Sequence, residues 1–152
     1  MIKKYSIRFA DHQVGSSMKA EFPISNSVGK IVGVSCVLKD NGTTSEEKNG
    51  KVIVGYSDLL EAINRAAPAT KVLGKATIST EEGEVIAASL LQNSHASLNK
   101  RIVPVSYKTP FSRLCVTIEE NDFLTEEQDH RNVLISYDVD VYLLTRKEAR
   151  ND

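Results

Sequence analysis

The chain has 152 residues, of which 41% are hydrophobic and 26% are charged, and its formal net charge is −1. A chain of this size and composition predicts one globular domain whose core needs no metal or disulfide, and the near-neutral charge disfavours a general nucleic-acid binder. No apolar run approaches the roughly 20 residues that span a bilayer, and no apolar segment follows the N-terminal lysines, so neither a transmembrane segment nor a secretory signal peptide is predicted.

The N-terminal part of the chain contains three candidate strands. Residues 3–9 and 17–24 alternate between apolar and polar side chains, as expected where successive side chains point to opposite faces of a strand. Pro23 places the end of the second stretch at an edge or a bend. Residues 11–16 predict a connection between these two strands. Residues 30–39 are apolar on both faces, which is typical of a central strand in a packed sandwich.

The next part of the chain predicts a hairpin followed by the one convincing helix. Residues 40–50 hold two Asn-Gly pairs around a polar insert, which predicts a hairpin with a long exposed loop before a strand at 51–55. The helix is predicted over 56–67, because apolar residues recur there at helical spacing. Asp58 can cap this helix, with a glutamate three residues later, and Pro68 stops it.

The second half of the chain predicts further strands before its last segment. Residues 71–79 look like a strand, and residues 84–92 suit either a buried strand or a short helix, with the preceding turn favouring a strand. Residues 102–108 and 112–120 are also predicted strands. Residues 122–131 are acidic and predict a loop with one helical turn.

The stretch 131–145 carries the clearest pattern in the chain. Every second position is apolar, and the apolar series consists of Val133, Ile135, Tyr137, Val139, Val141 and Leu143. This period predicts a long, half-buried strand of an antiparallel sheet. We expect the apolar series, and within it Ile135, Tyr137, Val139 and Val141, to face the core. We expect the intervening acids to face solvent or a neighbouring subunit: Asp138 and Asp140.

About eight or nine strands and one short helix make the chain mainly β. Short strands at this spacing predict an antiparallel β-sandwich, jelly-roll-like, or a barrel, and periodicity alone does not separate the two architectures. Residues 1–152 are assigned to this single β domain. A C-terminal tail at 146–152 extends from it or docks on a partner.

No motif predicts a catalytic, cofactor-binding or metal-binding residue. His12, His95 and His130 stand apart from one another in polar surroundings, so we expect three surface histidines. Cys36 and Cys115 lie inside apolar runs and predict two buried free thiols. The sequence has no Gly-x-Ser-x-Gly elbow and no glycine-rich phosphate loop, and an enzyme is therefore disfavoured.

One acidic stretch, Glu119–Asp129, is a candidate for cation binding. Hard cations such as calcium need several oxygen ligands at close range, and acids crowd together here. Their spacing does not match an EF-hand loop, so a solvated loop is the expected structure. An enzyme, the least favoured class of function, would have to bring His95 or His130 to acids of this stretch.

The rhythm of strands resembles small virion proteins built on a β-sandwich or jelly roll, such as those of bacteriophage and icosahedral virus capsids. The resemblance covers most of the chain. It rests on the strand V-L-I-S-Y-D-V-D-V-Y-L-L at 133–144 and on the helix S-D-L-L-E-A-I-N-R-A-A at 57–67, which is inserted between strands. It implies a capsid, vertex or accessory structural role with symmetric self-association. The chain is shorter than a typical major capsid protein and lacks a strongly basic N-terminal arm, which speaks against direct genome packaging.

We therefore expect a non-enzymatic structural component of a virion, which forms homo-oligomers, contacts other virion proteins and is assembled in the host cytoplasm. The alternative is a soluble β-sandwich binding module for a protein or glycan ligand, located in the cytoplasm. The first hypothesis predicts oligomers with ordered termini at interfaces. The second predicts a monomer or dimer with an exposed cleft or apolar patch. No cofactor is expected in either case.

Overall fold

The computed structural model describes residues 1–24, 29–66, 72–93, 102–108, 113–122 and 132–146. This part of the chain is mainly β, as the sequence predicts. Its eleven strands and one helix follow the order β1 (Ile2–Gln13), β2 (Ser17–Pro23), β3 (Lys30–Lys39), β4 (Glu46–Lys48), β5 (Lys51–Val54), α1 (Tyr56–Ala66), β6 (Gly74–Thr80), β7 (Val85–Leu90), β8 (Gln92–Asn93), β9 (Val103–Lys108), β10 (Arg113–Glu120) and β11 (Val133–Arg146). No helix in these ranges is long and apolar enough to cross a membrane.

The strands lie in two sheets, one of seven strands and one of four. In the large sheet β11 is central. It pairs antiparallel with β1 along one side, and along the other side it pairs antiparallel with β3 and parallel with β5. The strand β4 borders β5, while β8 and β9 border β3. The small sheet has the order β2-β10-β6-β7, and all its pairings are antiparallel.

The predicted β-sandwich is confirmed, and the described strands form two open sheets rather than the alternative barrel. The large sheet is not purely antiparallel, because β5 runs parallel to β11 and β8 runs parallel to β3. The parallel pairing of β5 occupies the first residues of β11, where β3 does not reach. Pairing between β11 and β3 begins only at Asp138.

One hydrophobic core lies between the two sheets. The inner face of β11 supplies five side chains that are at most 1% exposed, namely Ile135, Tyr137, Val139, Val141 and Leu143, and this confirms the predicted core face of the strand. The small sheet contributes alternate residues of its own strands, including Phe22, Ile78, Leu114, Val116 and Ile118. Such interdigitation of two inner faces is how a β-sandwich buries apolar area, the main favourable term in folding.

The opposite face of β11 is more covered than the alternation alone predicts. Asp138 is half-buried and lies 3.7 Å from Arg8, and Asn41 donates a hydrogen bond to it at 3.2 Å. Asp140 is only 5% exposed and accepts a hydrogen bond from Ser6 at 2.6 Å. Both acids point away from the core, as predicted, but neighbours within the chain shield Asp140 from solvent.

The first strand is longer than the one predicted at 3–9 and takes in part of the connection predicted at 11–16. It continues past a register shift at which Ala10 and Asp11 of β1 stand opposite the single residue Ser136 of β11. Two residues against one define a β-bulge, which reverses the alternation of faces beyond it. Such an insertion cannot be predicted from periodicity, because the extra residue interrupts the alternation of inward and outward side chains.

The polar insert between β3 and β5 forms a tight hairpin at its second Asn-Gly pair only. Asn49 and Gly50 join β4 to β5 with φ angles of 54° and 76°. Lys48 pairs with Lys51 across this turn. Two positive φ angles are typical of a type I′ turn, which Asn-Gly favours. Among the described strands β3 does not pair with β5, so the predicted long hairpin between them is wrong.

The predicted helix is confirmed as α1, although it is capped differently. The preceding loop caps it: the N–H of Tyr56 donates to Oγ1 of Thr43 at 3.1 Å and to the Thr43 carbonyl at 3.2 Å. Asp58 lies inside the first turn and accepts a hydrogen bond from the Ser45 hydroxyl. The loop between β3 and β4 is therefore hydrogen-bonded to the start of α1.

The later strands confirm their predictions with small shifts in their ends. The predicted strands at 71–79, 102–108 and 112–120 form β6, β9 and β10, and the ambiguous stretch 84–92 contains the strand β7. The predicted tail at 146–152 lies outside the described residues apart from Arg146. The loop predicted at 122–131 lies outside them apart from Asp122.

Candidate functional site

The residues singled out in the sequence occupy different environments. The side chain of His12 is 9% exposed, so it is not the surface histidine that the sequence predicts. His95 and His130 lie outside the described residues. Cys36 and Cys115 are both buried free thiols, as predicted. Burial raises the pKa of Cys36 to about 12, which keeps this thiol protonated and unreactive.

Of the acidic stretch Glu119–Asp129, the structure describes the residues up to Asp122. Glu119 is exposed, whereas the side chain of Glu120 is fully buried. In the described part of the chain, no group of three or more His, Cys, Asp or Glu side chains is placed to hold a metal ion. Glu120 therefore differs from the solvated acids beside it, and its partners define a separate site.

A buried polar cluster, here named the inter-sheet cluster, consists of His12, Glu120 and Tyr137. The Nε2 atom of His12 lies 2.5 Å from Oε2 of Glu120, and the Tyr137 hydroxyl donates to the same oxygen. The other carboxylate oxygen, Oε1, accepts a hydrogen bond from the backbone N–H of Ser16 at 3.1 Å. Because Glu120 belongs to the small sheet while His12 and Tyr137 belong to the large one, the cluster joins the two sheets.

The bulge in β1 brings His12 to this cluster. Beyond the bulge His12 pairs with Ile135, whose side chain faces the core. Unbroken alternation from Phe9 would instead turn His12 outward and Asp11 inward. The ring of His12 meets the ring of Tyr137 edge-on, with the two centroids 5.4 Å apart. Sequence periodicity could not have revealed this placement.

The position of Glu120, by contrast, is visible in the sequence. Leu114, Val116 and Ile118 alternate along the inner face of β10, and residue 120 continues their series. Grouping this glutamate with the acids of Glu119–Asp129 conceals its register. An acid that continues an inward-facing apolar series signals a buried carboxylate that needs partners.

The hydrogen bonds of the inter-sheet cluster indicate where its protons lie. Nδ1 of His12 lies 2.7 Å from the carbonyl oxygen of Ala10, so Nδ1 carries a hydrogen and donates it. The contact between Nε2 and Glu120 needs one more proton, which an imidazolium beside a carboxylate provides. Burial lowers the pKa of His12, but the hydrogen bond to Glu120, the Ala10 carbonyl and the charges of Glu120 and Asp11 outweigh it, and the pKa is raised.

Tyr137 acts in the cluster as a fixed donor. Burial, followed by the charge of Glu120 and the hydrogen bond to it, raises the pKa of Tyr137 well above its ordinary value. The phenol therefore stays protonated and donates to the carboxylate. Glu120 thus receives hydrogen bonds from two side chains and from the backbone of Ser16, which is what a buried carboxylate needs to be tolerated. This geometry suits a structural role in which buried hydrogen bonds hold the two sheets together.

A solvent-open cleft of about 340 Å³ lies beside the bulge, on the outer face of the large sheet. It is formed by β1, β11, β5, the first residue of β4 and the loop that leads into β4. Its polar lining includes Arg8, Asp11, Thr44, Glu46 and Ser136. Ser136 is the outward-facing residue of β11 directly opposite the bulge. The same insertion that turns His12 inward therefore leaves Asp11 at the rim of this cleft.

Along the edge of β1 that faces away from β11, no other described strand pairs with the backbone. Met1 and Thr145 exchange two backbone hydrogen bonds, of 2.8 and 3.1 Å, so alternate residues from Met1 onward direct their N–H and C=O groups at β11. The intervening residues direct theirs away from it. In the described sheets β1 pairs only with β11. The outward-directed groups, here named the β1 edge, belong to Ile2, Lys4, Ser6 and Arg8.

No protein-family model matches this chain, and no curated protein matches it significantly. The inter-sheet cluster, the cleft and the β1 edge are therefore the features from which a function is argued.

Proposed function

We propose that this chain is a non-enzymatic structural subunit of a virus or phage particle, such as a capsid, vertex or accessory protein, and that it acts through self-association and contacts with other virion proteins. The observation that carries the proposal is the β1 edge, which borders the seven-stranded sheet along a strand of 12 residues. An edge of this kind offers backbone donors and acceptors to a strand of another chain. On this proposal the protein resides in the virion after assembly in the host cytoplasm.

The β1 edge is regular enough to accept a strand. No proline interrupts β1, and its bulge lies beyond Phe9, so the backbone from Ile2 to Arg8 keeps a continuous register with β11. The side chains that border this stretch on the outer face include the cations Lys4 and Arg8. They favour an acidic strand as the partner, because opposite charges on neighbouring strands stabilise a pairing.

The same sheet offers an acidic strand at its opposite border. There β4 pairs only with β5 among the described strands, and its residues Glu46 and Glu47 are exposed. A basic border and an acidic border on one sheet suit head-to-tail contacts, in which β1 of one copy meets β4 of the next. Contacts of this heterologous type generate rings or extended assemblies, which supports a role in a particle.

The substitution Lys4→Pro tests this pairing. Lys4 is exposed, and its N–H belongs to the β1 edge, so proline removes a donor there without breaking a bond to β11. We expect light scattering coupled to size-exclusion chromatography to show an assembled wild-type protein and a smaller Lys4→Pro species. Circular dichroism and the unfolding midpoint should stay close to the wild-type values.

The matched control is Lys4→Ala, which removes the charge and keeps the N–H. It should remain assembled and should lose only part of the salt dependence of assembly. A wild-type protein that stays monomeric at millimolar concentration contradicts self-association. A Lys4→Pro variant that assembles as well as the wild type contradicts the assignment of the contact to the β1 edge.

One observation favours a second candidate function, a soluble β-sandwich binding module for a glycan or protein ligand in the cytoplasm. That observation is the cleft beside the bulge, whose polar lining is open to solvent. Small-molecule sites are typically concave and have a few convergent polar groups. The binding-module candidate does not require self-association, so the chromatography experiment also distinguishes the two.

A further inference from the structure

The floor of the cleft has a polar group without a partner. Ser136 is 8% exposed, and its hydroxyl has no hydrogen-bond partner among the described residues. Buried hydroxyls are nearly always hydrogen-bonded, because an unpaired one costs free energy. Ser136 lies between Ile135, where the pairing of β11 with β5 ends, and Asp138, where the pairing with β3 begins. The sheet is therefore interrupted beside this hydroxyl.

Three charged side chains around this floor also have unused hydrogen-bonding capacity. Arg8 lies 3.7 Å from Asp138, which is too far for a hydrogen bond. The side chains of Asp11 and Glu46 form neither a salt bridge nor a hydrogen bond with another described residue. The cleft therefore presents guanidinium donors and carboxylate acceptors to whatever enters it, and the Ser136 hydroxyl lies beneath its surface.

We propose that this cleft binds a small, neutral polyhydroxy ligand, such as one sugar residue of a glycan. Its volume of about 340 Å³ lies at the low end of the roughly 300–1,000 Å³ of small-molecule sites. Each hydroxyl both donates and accepts, so neighbouring hydroxyls can satisfy Arg8, Asp11 and Glu46 together. This inference deepens the binding-module candidate and does not rest on the β1 edge.

The charges of the cleft argue against the other small ligands. One guanidinium and two carboxylates give its lining an excess of negative charge, which disfavours phosphate and other anions. A simple ammonium ligand would match Asp11 and Glu46 but would leave the donors of Arg8 unused. A neutral ligand with several hydroxyls avoids both penalties.

The wall of the cleft nearest α1 is held in place before any ligand arrives. Thr43 accepts hydrogen bonds from the first N–H of the helix, and the Ser45 hydroxyl accepts one from the N–H of Gly55 at 2.9 Å. A Cβ at Gly55 would lie 2.5 Å from the carbonyl carbon of Thr44, so the loop packs directly on the glycine backbone. A wall ordered in advance reduces the entropy that binding has to overcome.

Nuclear magnetic resonance titration of the full chain tests the inference. The probes are D-glucose, D-galactose and N-acetyl-D-glucosamine, with inorganic phosphate and glycine as charged comparisons. At millimolar concentrations we expect at least one sugar to shift the amide signals of Asp11, Thr44 and Ser136 in a saturable manner. Phosphate and glycine should leave these three signals in place.

Two variants connect the binding to the cleft. Thr44→Val removes one exposed hydroxyl of the cleft lining and should weaken sugar binding roughly three- to ten-fold. Asp11→Asn removes a charged acceptor and should weaken it by a similar or larger factor. Ser35→Ala is the control, because it also removes one hydroxyl of the large sheet, but Ser35 on β3 does not line the cleft.

The outcomes separate clearly. Sugar binding that falls in Thr44→Val and Asp11→Asn and persists in Ser35→Ala supports the inference. It is overturned if none of the sugars shifts the cleft signals, if both cleft variants bind as tightly as the wild type, or if phosphate or glycine binds instead. Chromatography reports assembly separately, so a failure of sugar binding is distinguishable from a failure of the proposed structural role.

Discussion

Val139 and Asp138 are neighbours on β11 whose side chains meet opposite environments. Val139 is completely buried in the core, whereas Asp138 is half-buried on the outer face beside Arg8. We expect Val139→Asp to destabilise the protein by about 3–5 kcal/mol, because an unpaired carboxylate would be buried. Asp138→Val should change stability by less than about 1 kcal/mol, since its partner Arg8 is 59% exposed and lies 3.7 Å away, which makes the ion pair a weak one.

Chemical denaturation measures both substitutions, and their order is the test. A larger loss of stability for Asp138→Val than for Val139→Asp would show that the faces of β11 are assigned the wrong way round. Asp140, the next acid on the outer face, is covered more deeply than Asp138: it is 5% exposed and accepts a hydrogen bond from Ser6. Alternation predicts the face of a residue correctly but does not predict how deeply its neighbours cover it.

The inter-sheet cluster predicts how stability depends on pH. The pKa of His12 is raised above the ordinary value of 6.5 in the folded protein. Its contribution to stability is therefore fully present below pH 6.5 and is lost as the pH rises through the raised pKa. We expect the melting temperature of the wild type to fall as the pH rises from 6.5 through the raised pKa, and the fall to be smaller in His12→Gln.

The controls for this prediction are His95→Gln and His130→Gln, which leave His12, Glu120 and Tyr137 unchanged. Each should reproduce the wild-type dependence of melting temperature on pH. A His12→Gln variant whose melting temperature falls as steeply as that of the wild type would show that the cluster does not cause the dependence.

At the scale of elements, strands with unbroken periodicity are the predictable ones. β11 and β3 were predictable because alternate or continuous apolar residues record how much of each strand is buried. The second half of β1 was not, because the insertion opposite Ser136 reverses the faces of the strand without any signal in residue type. The cap of α1 was also hidden, since it comes from Thr43, which a long loop returns to the helix.

The spacing between β6 and β10 depends on one residue without a side chain. Gly74 pairs with Glu120, and a Cβ at Gly74 would lie 2.1 Å from the carbonyl oxygen of Glu119. Gly74→Ala must push the two strands apart next to the inter-sheet cluster. We expect a loss of about 3 kcal/mol in unfolding free energy, at the upper end for overpacked sites.

The control for Gly74→Ala is Lys75→Ala, an exposed change at the adjacent position of β6. It should alter the unfolding free energy by less than about 0.5 kcal/mol. Equal stability of Gly74→Ala and the wild type would mean that the strands can separate there at no cost, contrary to the close approach of their backbones.

At the scale of the whole molecule, the candidate sites bring together residues from distant parts of the chain. The inter-sheet cluster joins residue 12 to residues 120 and 137, and the cleft joins β1 to β4, β5 and β11. Single-sequence patterns report on neighbours along the chain, so they can predict strands but not which polar groups the sheets bring together. Within the inter-sheet cluster, the inward positions of Glu120 on β10 and of Tyr137 on β11 were predictable from register, but their contact with each other and with His12 was not.

The proposed assembly contact and the proposed ligand site meet at Arg8. Its backbone belongs to the β1 edge, while its side chain lines the cleft. A strand that docks on β1 from another subunit would therefore pass beside the mouth of the cleft. The proposals are tested separately, but in an assembled particle the two surfaces would be neighbours.

The central position of β11 governs when the large sheet can form. Its partners β1, β3 and β5 all come earlier in the chain, and each of them pairs with residues after 132. During synthesis all three strands emerge well before this common partner, which begins only at Val133. Contacts between such distant segments slow folding and leave edges exposed to other chains. A nascent copy of this protein therefore has to be kept from premature aggregation until its last strand arrives.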